Sequence, residues 1–121
     1  MAFSILIVDD DPGLTRALQL SLRCYGYDVS CAASGQEALD HAWASAPDLV
    51  ILDWQMPEMD GIQVCRLLRA GSDVPILMMS ANPSNAKEYA LAAGANDYLG
   101  KPFSIRELLA RVEAALRVRV S

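Results

Sequence analysis

The sequence predicts an α/β domain, a single doubly wound parallel sheet of five strands with helices on both faces. Two observations predict it. Apolar runs of strand length alternate with stretches of helical period along the whole chain, and parallel neighbours need right-handed helical crossovers of this kind. A chain of 121 residues, 53% hydrophobic, suits one compact domain with a real core, so residues 1–121 are expected to form one unit.

The elements follow in order. Phe3 to Val8 is an unbroken apolar strand. Pro12 to Tyr25 places Leu14, Leu18 and Leu22 at helical spacing, with Asp11 as N-cap and Pro12 at the first helical position. Tyr27, Val29, Cys31 and Ala33 alternate as a strand. Ser34-Gly35-Gln36-Glu37 is a capping box opening a helix to about Ser45. Leu49 to Leu52 is a buried strand, and Gly61 to Arg69 is a helix that Asp60 can cap. Val74 to Met79 is a strand, Pro83 to Ala93 a helix closed by Gly94, and Asp97 to Leu99 a short last strand. The final helix opens on the capping box Ser104-Ile105-Arg106-Glu107, with Phe103 and Leu108 placed as a hydrophobic staple.

Several functions are disfavoured by composition. No apolar run approaches the length of a membrane span, and the N-terminus lacks the features of a signal peptide, so a cytoplasmic protein without membrane contact is expected. A net charge of −5 argues against nucleic-acid binding by this domain, although Arg111, Arg117 and Arg119 make the C-terminus locally basic. Cys24, Cys31 and Cys65 show no metal-ligand or CxxC spacing and read as reduced, packed thiols. His41 has no second His or Cys at ligand spacing, and Trp43 reads as packing.

The chemistry gathers at strand ends. In a doubly wound sheet, ligands sit beyond the carboxyl ends of the strands, where the strand order reverses. Asp9 and Asp10 follow the first strand, Asp53 the third, Ser80 the fourth and Lys101-Pro102 the fifth. Adjacent carboxylates repel one another and resist desolvation, so Asp9, Asp10 and Asp11 need a cap, solvent or a cation. Asp11 has its cap. Asp9 and Asp10, with Asp53, offer the hard oxygen ligands that suit Mg2+.

ILIVDDDP, DLVILDWQMPEMDG, PILMMSA and DYLGKPF resemble, in order and spacing, the bacterial two-component response-regulator receiver domain. The resemblance covers essentially the whole chain. It implies the flavodoxin-like strand order 2-1-3-4-5. It also implies a phosphorylation-dependent signalling switch in which Asp53 accepts a phosphoryl group from a sensor histidine kinase or histidine phosphotransfer protein. Mg2+, for which Mn2+ can substitute, would be held by Asp10, Asp53 and the backbone carbonyl of Gln55, with Asp9 acting mostly through water. Lys101 would sit by Asp53 at rest and pair with a phosphoryl oxygen afterwards, while the Ser80 hydroxyl donates to another. Ser80 and Tyr98 would form the switch, reshaping the face of the fourth helix, fifth strand and fifth helix toward an effector, a fused output domain or a phosphorylation-dependent homodimer. The resemblance suggests that the Lys101–Pro102 bond can be cis, an isomer that the sequence does not fix. The only catalysis implied is of the domain's own phosphorylation and dephosphorylation.

Departures are small. Gly100 stands where many relatives carry a larger residue, and Ser80 replaces the commoner threonine. Two other readings are weaker. A haloacid-dehalogenase-like phosphatase would use Asp9 as nucleophile, but FSIRELLARVEAALRVRVS lacks that family's downstream acidic pair and no cap insertion exists. A degenerate, docking-only receiver conflicts with the full set of acids, hydroxyl and lysine.

Overall fold

The computed structural model describes residues 2–81 and 85–120. Its elements run β1 (Ser4–Val8), α1 (Pro12–Cys24), β2 (Asp28–Ala32), α2 (Gly35–Ser45), β3 (Leu49–Asp53), α3 (Gly61–Gly71), β4 (Ile76–Ser80), α4 (Ala86–Ala92), β5 (Asp97–Gly100) and α5 (Ile105–Val120). All strand pairs are parallel, in the order β2-β1-β3-β4-β5. The predicted fold class and strand order are those observed.

Strand alternation sorts the core into two layers. Leu6, Val8, Val50, Leu52, Ile76 and Met78 face α2, α3 and α4, where Leu39, Val64 and Leu68 meet them. Ile5, Ile7, Leu49, Ile51, Leu77, Met79 and Leu99 face α1 and α5, against Leu18, Leu22, Leu108, Val112 and Leu116. Each such fully buried aliphatic side chain contributes about 1.5–3 kcal/mol. Because β1, β3 and β4 are covered on both faces, they read as continuous apolar runs in the sequence.

Local signals fix the helix starts. Asp11 Oδ1 accepts from the N–H groups of Gly13 and Leu14. Asp60 and Gln63 form a complete capping box, as do Ser104 and Glu107. At α2 the Glu37 N–H donates to Ser34 Oγ, but the Glu37 carboxylate meets the Ser34 hydroxyl, so only half of the expected box forms. Phe103 packs on the layer containing buried Leu108, as a staple requires.

Some boundaries and exposures differ from the sequence reading. β4 begins at Ile76, because Pro75 has no N–H and joins the ladder only by its carbonyl, which accepts from the Val50 N–H. The α4 helix begins at Ala86, after Asn85 in a left-handed conformation; the expected start at Pro83 lies outside the described residues. Cys24 and Cys31 are exposed rather than packed, since α1 ends at Cys24 and Cys31 lies on the edge strand β2; only Cys65 is buried. Trp43 is 52% exposed, with one edge of its indole laid over Gly71.

Arg69 supplies a link that no local pattern announces. Its guanidinium donates to the carbonyls of Ser72 and Gly94 and to Asn96 Oδ1, which also accepts the Ile76 N–H. One α3 side chain thereby ties down the start of β4 and the α4–β5 turn. Gly94 is required there twice over. Its φ is +111°, and an added Cβ would stand 3.0 Å from Arg69 Cγ.

Candidate functional site

The parallel register carries the chemistry to one edge. Val8 is paired with Leu52 and Asp53 with Met79, so the acids that follow β1 lie beside the last residue of β3. Ser80 pairs with Gly100, and the Lys101 N–H donates to the Ser80 carbonyl at 2.8 Å, which holds the lysine beside β4. The Trp54 N–H bonds to the Met79 carbonyl at 2.9 Å, and its own carbonyl accepts from Gly61 at 2.8 Å. Gly61 packs so closely that an added Cβ would collide with the Asp53 carbonyl oxygen and stand 2.8 Å from Trp54 Cα. Glycine here is a condition for seating α3 against the end of β3.

Lys101 Nζ bridges two buried carboxylates, at 3.0 Å from Asp53 Oδ1 and 3.1 Å from Asp9 Oδ2. The other Asp9 oxygen accepts the Asp11 N–H at 2.9 Å. Asp10 is exposed, yet one oxygen each from Asp9, Asp10 and Asp53 lies within 4.8 Å of the others. Two of these three carboxylates thus share one ammonium.

The charges respond accordingly. Burial pushes the Asp53 carboxyl above its ordinary range; the Lys101 hydrogen bond pulls it back, the Asp9 charge adds to the rise and Lys101's charge opposes it, and the net direction is up. Burial works against the charged form of Lys101, but its bonds to Asp53 and Asp9 outweigh that cost and raise its pKa. Among the described residues, Lys101 is the cation that meets the buried pair Asp9 and Asp53. A cluster of hard carboxylate oxygens with one exposed member fits a small divalent cation such as Mg2+.

Ser80 is fully buried, and its hydroxyl donates to Gln55 Oε1 at 3.2 Å. The Tyr98 hydroxyl donates to the Ser80 carbonyl at 3.3 Å, its half-buried ring lying on the α2–α3–α4 layer. The Lys101–Pro102 bond is cis. Every residue singled out at the strand ends therefore lies at this edge. The sequence reading missed the Asp9–Lys101 ion pair and the Gln55 side chain, for which it foresaw only a backbone role. Both contacts join distant parts of the chain and leave no local pattern.

Residues 5–113 match the family model described as the response regulator receiver domain. The chain is 50% identical over 119 residues to the response regulator MprA of Mycolicibacterium vanbaalenii, and 49% identical to that of Mycobacterium tuberculosis. Each alignment takes in 97% of this chain and 52% of the relative, so the chain spans about half the length of the curated relatives it matches. Among solved structures, the receiver domain of Francisella response regulator 1452 is similar with a TM-score of 0.89 and 34% identity, over 94% of this chain and 96% of that one. The chemotaxis protein CheY4 of Vibrio cholerae gives a TM-score of 0.91 and 33% identity, over 96% of this chain and all of its own.

Proposed function

The chain belongs to the response-regulator receiver family, and on that premise we propose that it is a phosphorylation switch whose phosphoacceptor is Asp53. The observation that carries this reading is the placement of Asp53. It is a buried carboxylate at the end of β3, bonded to Lys101 and neighboured by the oxygens of Asp9 and Asp10.

An Asp53 oxygen attacks phosphorus on a phosphohistidine of a sensor histidine kinase or histidine phosphotransfer protein. The new O–P bond forms as the N–P bond to the imidazole breaks, leaving an acyl phosphate. Asp10, Asp53 and the Gln55 carbonyl would hold Mg2+, or Mn2+ in its place, with Asp9 acting through water. Both Asp9 oxygens are already engaged, which suits that outer role. A bound divalent ion offsets the repulsion between the anionic nucleophile and the anionic donor. Lys101, already on Asp53 Oδ1, moves to a phosphoryl oxygen without leaving the site.

Ser80 transfers its hydroxyl from Gln55 to the phosphoryl group. Tyr98 is bonded to the same serine's carbonyl, so this shift reaches the face formed by α4, β5 and α5. That face acts on an effector, an output domain or a second copy of the chain. The domain, residues 1–121, turns over no other substrate and needs no contact with nucleic acid or membrane. No helix among the described residues is long and apolar enough to cross a membrane.

Acetyl phosphate with Mg2+, followed by peptide mapping of borohydride-trapped acyl phosphate, tests the assignment. Label at Asp53, abolished in a folded Asp53→Asn variant, is the expected result. Label at Asp9 points to the phosphatase reading, and no label to a docking module.

A further inference from the structure

Among the described residues, the side chains that α4 buries are small. It spans seven residues, its buried side chains are Ala86 and Ala90, and the Asn85 side chain makes no cap bond. Two alanine methyls are a small apolar face for a helix. Its C-terminal end is secured from outside, by Arg69 on the Gly94 carbonyl and on Asn96. Along its length one further contact stands out. The Tyr89 ring meets the Trp54 indole edge to face, with centroids 6.3 Å apart and planes at 72°.

Trp54 is the residue between Asp53 and Gln55. Its backbone is bonded on both sides, to Met79 and to Gly61, so its position follows that of the phosphoacceptor. Its indole is half-buried on the α2–α3–α4 layer, while Tyr89 is 62% exposed. Anything that shifts the end of β3 must therefore move or break this pair.

We infer that Tyr89 is a positioning residue for the switch: through its edge-to-face contact with Trp54 it holds α4 in the resting position, and phosphorylation of Asp53 releases it. The Arg69 clamp leaves the C-terminal end of α4 as the pivot. This route rests on the phosphoacceptor reading and is distinct from the one through Ser80 and Tyr98. Ring contact is the operative feature, so Tyr89→Phe preserves it and Tyr89→Ala removes it.

Hydrogen exchange over 86–97, with and without acetyl phosphate and Mg2+, tests the inference, with Asp53 occupancy measured by intact mass in each sample. Tyr89→Ala is expected to speed α4 exchange in the unphosphorylated chain roughly threefold to tenfold, the factor matching loss of one aromatic pair. The phosphorylation-dependent difference should shrink accordingly, and Tyr89→Phe should behave as wild type. Trp54→Leu should add nothing to Tyr89→Ala. Normal labelling with an unchanged α4 response in Tyr89→Ala overturns the coupling alone, as does a Tyr89→Phe variant as loose as Tyr89→Ala. A wild-type chain that takes no label at Asp53 overturns the phosphoacceptor reading, and the coupling with it.

Discussion

Lys101 Nζ lies 3.0 Å from Asp53 Oδ1 and is at the same time bonded to Asp9, so the proposed nucleophile shares its only close cation among the described residues with a second buried acid. Removing the lysine leaves both carboxylates buried without a counter-charge. Lys101→Ala should destabilise the metal-free domain by about 2 kcal/mol, read from urea unfolding in EDTA, and Mg2+ should restore part of that loss. An unchanged unfolding midpoint would show that the two acids do not depend on the ammonium.

Stability of the metal-free domain should also depend on pH in a defined sense. The Asp53 pKa is raised, chiefly by burial, so the protonated form is favoured in the folded state. The stability this confers is complete below the ordinary carboxylate range and is lost as pH rises through the raised value. Asp53→Asn should therefore gain on wild type in thermal stability as pH rises from about 4 to about 7 in EDTA. A gap that narrows over that range would reverse the assigned direction.

The acid cluster predicts an order of metal affinities. Asp9 has both oxygens occupied, whereas Asp10 is exposed and faces the same cluster. Asp9→Ala should weaken Mg2+ about tenfold, as loss of an outer-sphere carboxylate does, and Asp10→Ala should weaken it more. Equal losses in a Mg2+ titration would refute that ranking.

Trp54 gives the titration its readout. It lies between two proposed ligands, while Trp43 rests over Gly71 between α2 and α3. A saturable change in emission on adding Mg2+ is expected to disappear in Trp54→Phe and in Asp10→Ala, and to persist in Trp43→Phe. The opposite pattern in the two tryptophan variants would move the metal away from residues 53–55.

Backbone geometry in the segment that follows Asp53 predicts opposite effects for two small substitutions. Gly61→Ala drives a methyl into the main chain of Asp53 and Trp54 and should cost about 3 kcal/mol. Glu58 is exposed, has a φ of +67° and sits in a tight turn closed by the Met59 N–H on the Pro57 carbonyl. Glu58→Gly should relieve that conformation and stabilise the domain by about 0.5–1 kcal/mol. Equilibrium unfolding of both variants checks the pair of signs.

The sequence by itself determined the order of elements and the starts of α1, α2, α3 and α5, because those starts depend on bonds between near neighbours. Asp11 caps α1 across two and three residues, Asp60 and Gln63 close their box across three, and period-2 and period-3.6 apolar patterns mark which faces are buried. Parallel pairing, in turn, forced Asp9, Asp10, Asp53, Ser80 and Lys101 to one sheet edge. Tertiary structure alone decided how those residues meet. Lys101 is 92 residues from Asp9 and 48 from Asp53, and Ser80 reaches the Gln55 side chain across 25. The Arg69 clamp and the Trp54–Tyr89 pair likewise follow from how α3 and α4 seat on the sheet. Contacts of that kind depend on register and helix placement to a fraction of an ångström, and neither composition nor periodicity carries that information.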